Sequence, residues 1–107
     1  MALALAKELP GVEEGMAYGT PAFRVKGRFM ARLKEDGETL AIRCDFALRE
    51  RLIATAPKTF FLTDHYLNYP AVLVRLPMVT KRQLKALVQA CWEFTAPKSL
   101  KAGRGGR

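Results

Sequence analysis

The chain is poor in the residues on which small catalytic and metal sites depend. Its 107 residues include two cysteines and one histidine, and its only serine is Ser99, near the C-terminal end. A Ser-His-Asp triad therefore cannot be assembled from the predicted folded region, and a zinc site would need about four ligands, usually including a Cys-x-x-Cys pair. The glycines match neither a phosphate-binding loop nor a dinucleotide fingerprint. We therefore expect no catalytic residues, no cofactor and no bound metal.

Long apolar runs and paired cysteines are also missing. The apolar stretch from Met1 to Ala6 is interrupted by Lys7, so it is too short for a signal-peptide core or for a membrane span of about 20 residues. Cys44 and Cys91 are 47 positions apart and have apolar neighbours, which fits two buried thiols in a reducing compartment better than a disulfide. We expect a cytoplasmic protein that makes no membrane contact.

Acidic residues are few relative to basic ones. Eighteen Lys and Arg against ten Asp and Glu give a formal net charge of +8, and such a surplus attracts polyanions. Four of the cations lie in residues 98–107, which contain three glycines and no acid. This composition predicts a flexible basic tail after a single domain over residues 1–97. Nucleic acid is the default partner to test.

The order of apolar patterns predicts a two-layer α+β domain. We expect three helices on one face of an antiparallel sheet of five to six strands, in the order α-β-β-β-β-α-β-β-α. The first helix covers Leu3 to Leu9, the second is capped by Asp45, and the third begins with a capping box of Thr80 and Gln83. The predicted strands are Glu13–Tyr18, Ala22–Lys26, Arg28–Leu33, Thr39–Cys44, Thr59–Thr63 and Ala71–Leu76.

Alternation with period two assigns the strand residues to two faces. Odd-numbered apolar residues between positions 23 and 33 are expected to face the helices, together with apolar residues of the later strands and helices. The expected core consists of Phe23, Val25, Phe29, Leu33, Leu40, Ile42, Val72 and Val74, with Leu52, Leu84 and Val88.

The opposite face is predicted to be basic. Positions 24–34 contain five cations and no acid, and a strip of this kind can follow phosphates or enter a groove on strands. The alternative is a solvated polar face that keeps the sheet soluble, although such a face normally mixes both signs of charge. The expected nucleic-acid contacts are Arg24, Lys26, Arg28, Arg32, Arg43 and Arg75, with Lys34 at the end of the strip.

The segment from Thr63 to Pro70 is longer than the two to five residues of an ordinary hairpin connection. Its tyrosines could stack on bases and its histidine could donate to phosphate. In the alternative interpretation the tyrosines pack over the end of the sheet and Asp64 caps the turn. The residues proposed for a site in this loop are Thr63, Asp64, His65, Tyr66 and Tyr69.

Several short motifs resemble the MmcQ/YjbR family from about Leu5 to Pro97. They are Tyr18-Gly19-Thr20-Pro21-Ala22-Phe23, Phe29-Met30-Ala31-Arg32-Leu33, Arg43-Cys44-Asp45, Phe61-Leu62-Thr63-Asp64-His65-Tyr66 and Tyr69-Pro70. The resemblance implies an α+β fold like that of the bacterial frataxin homologue, a double-wing arrangement and DNA binding. Iron delivery, which the frataxin-like fold also suggests, would be expected to need several acids on the first helix. Only Glu8 is acidic between Met1 and Gly11.

These patterns together predict a small non-catalytic module that binds nucleic acid, with DNA the expected form, through its basic strand face. The alternative is a protein-interaction or small-ligand module that uses the loop from Thr63 to Pro70. We expect a monomer or a weak dimer.

Overall fold

The computed structural model describes residues 8–97 of the chain. This part contains two helices, six strands and one short 3₁₀ turn, so the α+β class and the six-stranded sheet are confirmed. The elements are β1 (Val12–Ala17), β2 (Thr20–Val25), β3 (Arg28–Leu33), β4 (Thr39–Arg43), α1 (Phe46–Thr55), β5 (Phe60–Phe61), the 3₁₀ turn (Asp64–Tyr66), β6 (Ala71–Arg75) and α2 (Lys81–Thr95).

The predicted first helix and the basic tail fall largely or wholly outside the described residues. Residues 1–7 of the predicted helix and residues 98–107 of the predicted tail are not described by the structure. Leu9, at the end of the predicted helix, is partly buried against the core. Within residues 8–97 neither helix is long and apolar enough to cross a membrane.

The six strands form one antiparallel sheet in the order β1-β2-β3-β4-β6-β5. The first four strands follow one another as a meander, because each pair is joined by a short turn. Helix α1 then carries the chain past β6 to the far edge, where β5 begins. Strand β6 returns between β4 and β5, so the connection from β5 to β6 is located at that edge.

Both helices pack on one face of the sheet. Asp45 accepts a hydrogen bond from the Leu48 amide and begins α1, and Thr80 and Gln83 form the predicted capping box of α2. Most of the predicted core residues are buried there, and Trp92 is fully buried, with its indole N–H donating to the Pro10 carbonyl at 2.8 Å.

A β-bulge in β3 makes two side-chain assignments from the alternation wrong. Phe23 pairs with Ala31 but Arg24 pairs with Phe29, so Met30 is an extra residue in β3. An extra residue shifts every side chain on one side of it to the opposite face. Phe29 therefore leaves the core, and Arg28 moves to the helix side, where its guanidinium donates to the Thr95 carbonyl at 3.3 Å.

The face away from the helices is also covered along its centre. One row of paired residues crosses the whole sheet there, and its members Ala22, Ala41 and Leu73 are buried although they are outside the main core. The row is Gly15, Ala22, Arg32, Ala41, Leu73 and Phe61. We call this side of the sheet the loop face, because the segment 63–70 lies over it.

Candidate functional site

The loop after β5 reaches across the sheet rather than closing a hairpin at its edge. The Lys34 ammonium lies over the Tyr66 ring, 5.2 Å from its centroid. Lys34 follows β3, whereas Tyr66 belongs to the connection between β5 and β6, so the loop crosses β6 and β4. This crossing explains why Leu73, in the middle of the loop face, is only 2% exposed.

A cavity of about 290 Å³ lies between this loop and the strands β3 and β4, with the turn between β1 and β2 at its side. It contains residues from both sets that the sequence singled out, the basic strand face and the aromatic loop. Its walls are Tyr18, Phe29, Arg32, Arg43, His65, Tyr66, Tyr69, Pro70 and Ala71. The site thus combines aromatic rings with two guanidinium groups, a composition that suits a planar group carrying negative charge.

A buried arginine of α1 holds the loop in place. The Nη1 atom of Arg49 donates to the carbonyls of Tyr66, Leu67 and Tyr69 at 3.4, 3.1 and 2.8 Å. Arg49 is 5% exposed, and its other side contacts the Glu50 carboxylate at 3.1 Å. Because one guanidinium satisfies three carbonyls of an irregular segment, the loop keeps a defined shape without regular secondary structure.

Arg32 forms the floor of the cavity. It is 8% exposed, lies between Ala22 and Ala41 in the row across the sheet, and donates to the Thr20 hydroxyl at 3.1 Å. Its second nitrogen lies 3.6 Å from the Glu35 carboxylate. A hydrogen bond from a backbone amide and the positive charge of Arg32 lower the pKa of Glu35, so this carboxylate stays ionised beside the arginine.

Arg43 is located where β4 ends, at the rim of the cavity. Its guanidinium lies over the Phe94 ring of α2 at 5.1 Å. Its Nε atom is buried and has no hydrogen-bond acceptor among the described residues. An arginine nitrogen removed from water without an acceptor is unfavourable, and a bound anion could relieve that penalty by drawing the guanidinium toward it.

Tyr18 closes the cavity from the side of β1 and β2. Its ring lies over the Arg32 guanidinium at 4.9 Å, yet the residue is 84% exposed. Tyr18 and Gly19 are the two central residues of the turn between these strands, with φ values of 53° and 81°. Such a turn favours Asn-Gly, so a tyrosine in the left-handed region is strained.

The remaining members of the predicted basic strip are dispersed. Arg24 is half-buried on the loop face beside Phe29, and Arg75 lies toward β5, stacked on Phe61 at 3.8 Å. Lys26 is exposed in the turn between β2 and β3, and Arg28 faces the helices. The strip is therefore not a continuous row of cations along one hairpin.

In the loop, three of the five predicted residues line the cavity. His65 meets Tyr66 edge to face at 5.0 Å and lies 6.2 Å from Tyr69 between ring centroids. Thr63 and Asp64 are exposed and are not part of the cavity wall.

Three contributors to the site are not among the residues that the sequence predicts for it. Alternation places Phe29 in the core, and Arg49 belongs to a helix with no distinguishing pattern around it. Tyr18 occurs only at the end of a predicted strand and within a family motif. The succession Phe29-Met30-Ala31 breaks the alternation and could have indicated the bulge, whereas nothing in the sequence marks Arg49 as a loop anchor.

The two thiols are structural residues. Cys44 and Cys91 are free and fully buried, and burial raises the pKa of each to about 12. A thiol with such a pKa is protonated at neutral pH and therefore a poor nucleophile. Within the part of the chain that the structure describes, no group of three or more His, Cys, Asp and Glu residues could hold a metal ion.

Comparison with known proteins identifies a matching family and several relatives. Residues 7–94 match the family described as YjbR. An uncharacterised protein of Mycobacterium bovis and its counterparts in two strains of Mycobacterium tuberculosis are each 40% identical over 65 residues, which is 60% of this chain. The chain spans about half the length of these relatives, 50% of each being covered. No solved structure matches the chain.

Proposed function

The chain belongs to the YjbR family, and we propose that it is a small non-catalytic module that binds nucleic acid, with DNA the expected form. The contact surface is the loop face around the cavity rather than one continuous hairpin strip. Phosphates bind the cations on this face, and the aromatic cavity lies among them.

A single observation carries this proposal: most cations of the loop face make no salt bridge with a carboxylate of the described residues. Arg24, Lys34, Arg43 and Arg75 make no salt bridge within residues 8–97, and only Arg32 contacts a carboxylate. Cations on a merely soluble face are normally interspersed with acids. Unpaired guanidinium groups around a concave site favour a polyanionic ligand, because each phosphate contact also releases condensed counterions.

The acids of the loop face lie at its margin. Glu13 is on the edge strand β1, opposite Arg24 in the register, and Glu35 follows the end of β3. The centre of the face is therefore positive, and a phosphate backbone can approach it from the side of Arg43 without meeting either of these two carboxylates, while the exposed Asp64 belongs to the loop itself.

The proposal is tested by measuring oligonucleotide affinity against salt concentration, using the full-length chain and a fluorescent label. Four phosphate contacts on the loop face predict a slope of log K against log salt of about −3 for a single strand, and any contacts made by the cations of residues 98–107 would add to it. Arg43→Glu should weaken binding at least about tenfold and make the slope shallower by about 1, because it replaces a contact by repulsion.

Arg82→Glu is the matched control. It changes the net charge by the same amount on the exposed side of α2, away from the cavity. We expect Arg82→Glu to weaken binding much less than Arg43→Glu at the same salt concentration. Equal losses in both variants would mean that only net charge matters, and a slope near zero would exclude phosphate binding by this chain.

A second candidate function is the binding of a small anionic molecule. The specific observation behind it is that the cavity is preformed: Arg49 fixes the loop through three carbonyls, and Thr20 and Glu35 fix Arg32. A volume of about 290 Å³ lies at the lower end of small-ligand sites, roughly 300 to 1,000 Å³.

Thermal shift distinguishes the two functions, since a ligand that binds only the folded state raises the melting temperature. Stabilisation by a carboxylate or phosphate metabolite, with no oligonucleotide binding at low salt, would favour the second function. We also propose that the chain has a third helix, the double-wing arrangement of the frataxin homologue and a cytoplasmic location.

A further inference from the structure

We infer that the cavity holds one unstacked base of a single-stranded nucleic acid, while the adjoining phosphates contact the cations at its rim. This inference rests on the proposed function and narrows it, because a polyanion surface alone would accept duplex and single strand alike. It assigns the aromatic loop residues and the arginines to one ligand.

The shape of the loop face disfavours a duplex. Strands that enter a groove need an open sheet surface, but here the loop lies over the middle of the sheet and leaves Ala41 and Leu73 almost fully buried. What remains accessible is a recess with room for one small planar group. A base can enter such a recess only after it has left the stack.

The exposed ring surfaces of the cavity fit a stacked base. Tyr69 is 59% exposed and Tyr18 is 84% exposed, so each offers ring surface to solvent. The Lys34 ammonium already lies over the Tyr66 ring, and the His65 and Tyr66 rings meet in a T-shaped arrangement. Stacking on aromatic rings is the usual way in which proteins hold single-stranded bases, and it tolerates any base.

The charges around the cavity are placed for a phosphate next to the base. Arg43 lines the cavity with its guanidinium stacked on Phe94, and it makes no salt bridge with a carboxylate of the described residues. The Lys34 ammonium lies over the Tyr66 ring of the cavity wall. Arg32 is held from below by Thr20 and covered by the Tyr18 ring. A base between the rings would therefore have a cation toward each neighbouring phosphate.

The test compares three labelled ligands of equal length and sequence context, about ten nucleotides each. They are a single strand, the same strand with abasic sugars in place of nucleosides, and the corresponding duplex. The full-length chain should bind the single strand at least about fivefold more tightly than the abasic strand, since one stacked base accounts for that much or more. The duplex should bind no better than the abasic strand.

Variants in the loop show whether the cavity is responsible. Tyr69→Ala should bring the ratio of the two single-strand affinities close to one, and Tyr69→Phe should restore it because the ring is retained. Leu67→Ala is the control, since Leu67 is exposed in the same loop but outside the cavity wall, and the ratio should persist.

The outcomes separate this inference from the proposed function. Salt-dependent binding that is equal for the single strand and the abasic strand would overturn the inference and leave phosphate binding in place. If the affinity ratio of the base-containing to the abasic strand is unchanged in Tyr69→Ala, the inference is also overturned, because the base would then bind outside the cavity. Failure of all three ligands to bind at low salt would overturn the proposed function itself.

Discussion

At the scale of single residues, Tyr18 and Lys26 both adopt a backbone conformation with positive φ. Each is the first central residue of a two-residue hairpin turn before a glycine, with φ of 53° and 51°. A non-glycine residue in this region is disfavoured by roughly 1 to 2 kcal/mol, and asparagine is tolerated much better. At Tyr18 a cation–π contact between its ring and Arg32 offsets part of this cost.

The two turns therefore form a matched pair of substitutions. Lys26→Asn should raise the stability by about 1 kcal/mol, or roughly 4 to 8 °C in melting temperature. Tyr18→Asn should raise it less, because it also removes a cation–π contact worth about 0.5 to 1 kcal/mol. Thermal unfolding of the two variants checks this order.

Binding gives the second readout for the same pair. Only Tyr18→Asn should reduce the preference for a base-containing strand over an abasic one, because Tyr18 lines the cavity and Lys26 does not. If Tyr18→Asn stabilises the chain as much as Lys26→Asn and leaves the preference unaltered, the tyrosine ring has neither a structural nor a binding role.

At the scale of elements, the bulge in β3 decides which phenylalanine belongs to the core. Phe23 is 4% exposed among core residues, and Phe29 lies on the other face against the cavity. Phe23→Ala should therefore cost about 3 to 5 kcal/mol, typical of a buried phenylalanine. Phe29→Ala removes less buried surface and should cost about 1 to 2 kcal/mol.

Chemical denaturation of these two variants tests the register directly. The midpoint should fall much further for Phe23→Ala, with the denaturant dependence unchanged in both. Similar large losses would place Phe29 in the core, as simple alternation predicts, and would contradict the bulge.

The elements themselves could be predicted because their signals are local. The capping box at Thr80 and Asp45 before α1 depend on side chains three residues from the amides they bind. The bulge depends instead on how β3 pairs with β2, and Arg49 acts on a loop 17 to 20 residues away. Such long-range contacts leave no periodic pattern in the sequence, so the cavity could be predicted only as two separate sets of residues.

At the scale of the whole molecule, the positive charge has two sources that could both contact phosphate. The family match ends at residue 94, and residues 98–107 add four cations with no acid. Most cations of the loop face lie on paired strands, so their spacing is fixed by the sheet. Defined spacing is needed for preference between nucleic acids, whereas added charge alone increases affinity for any of them.

Ending the chain at Pro97 separates the two sources. The shortened protein should keep its melting temperature to within a few degrees, because the described core, including Trp92, lies within the retained residues. Generic affinity should fall, and the salt slope for a single strand should become shallower by up to about 3, roughly 0.7 for each lost phosphate contact. The ratio between base-containing and abasic strands should not change, since the cavity walls are all retained. Loss of that ratio together with all binding at low salt would assign the interaction to residues 98–107, and the loop face would then be a solubilising surface.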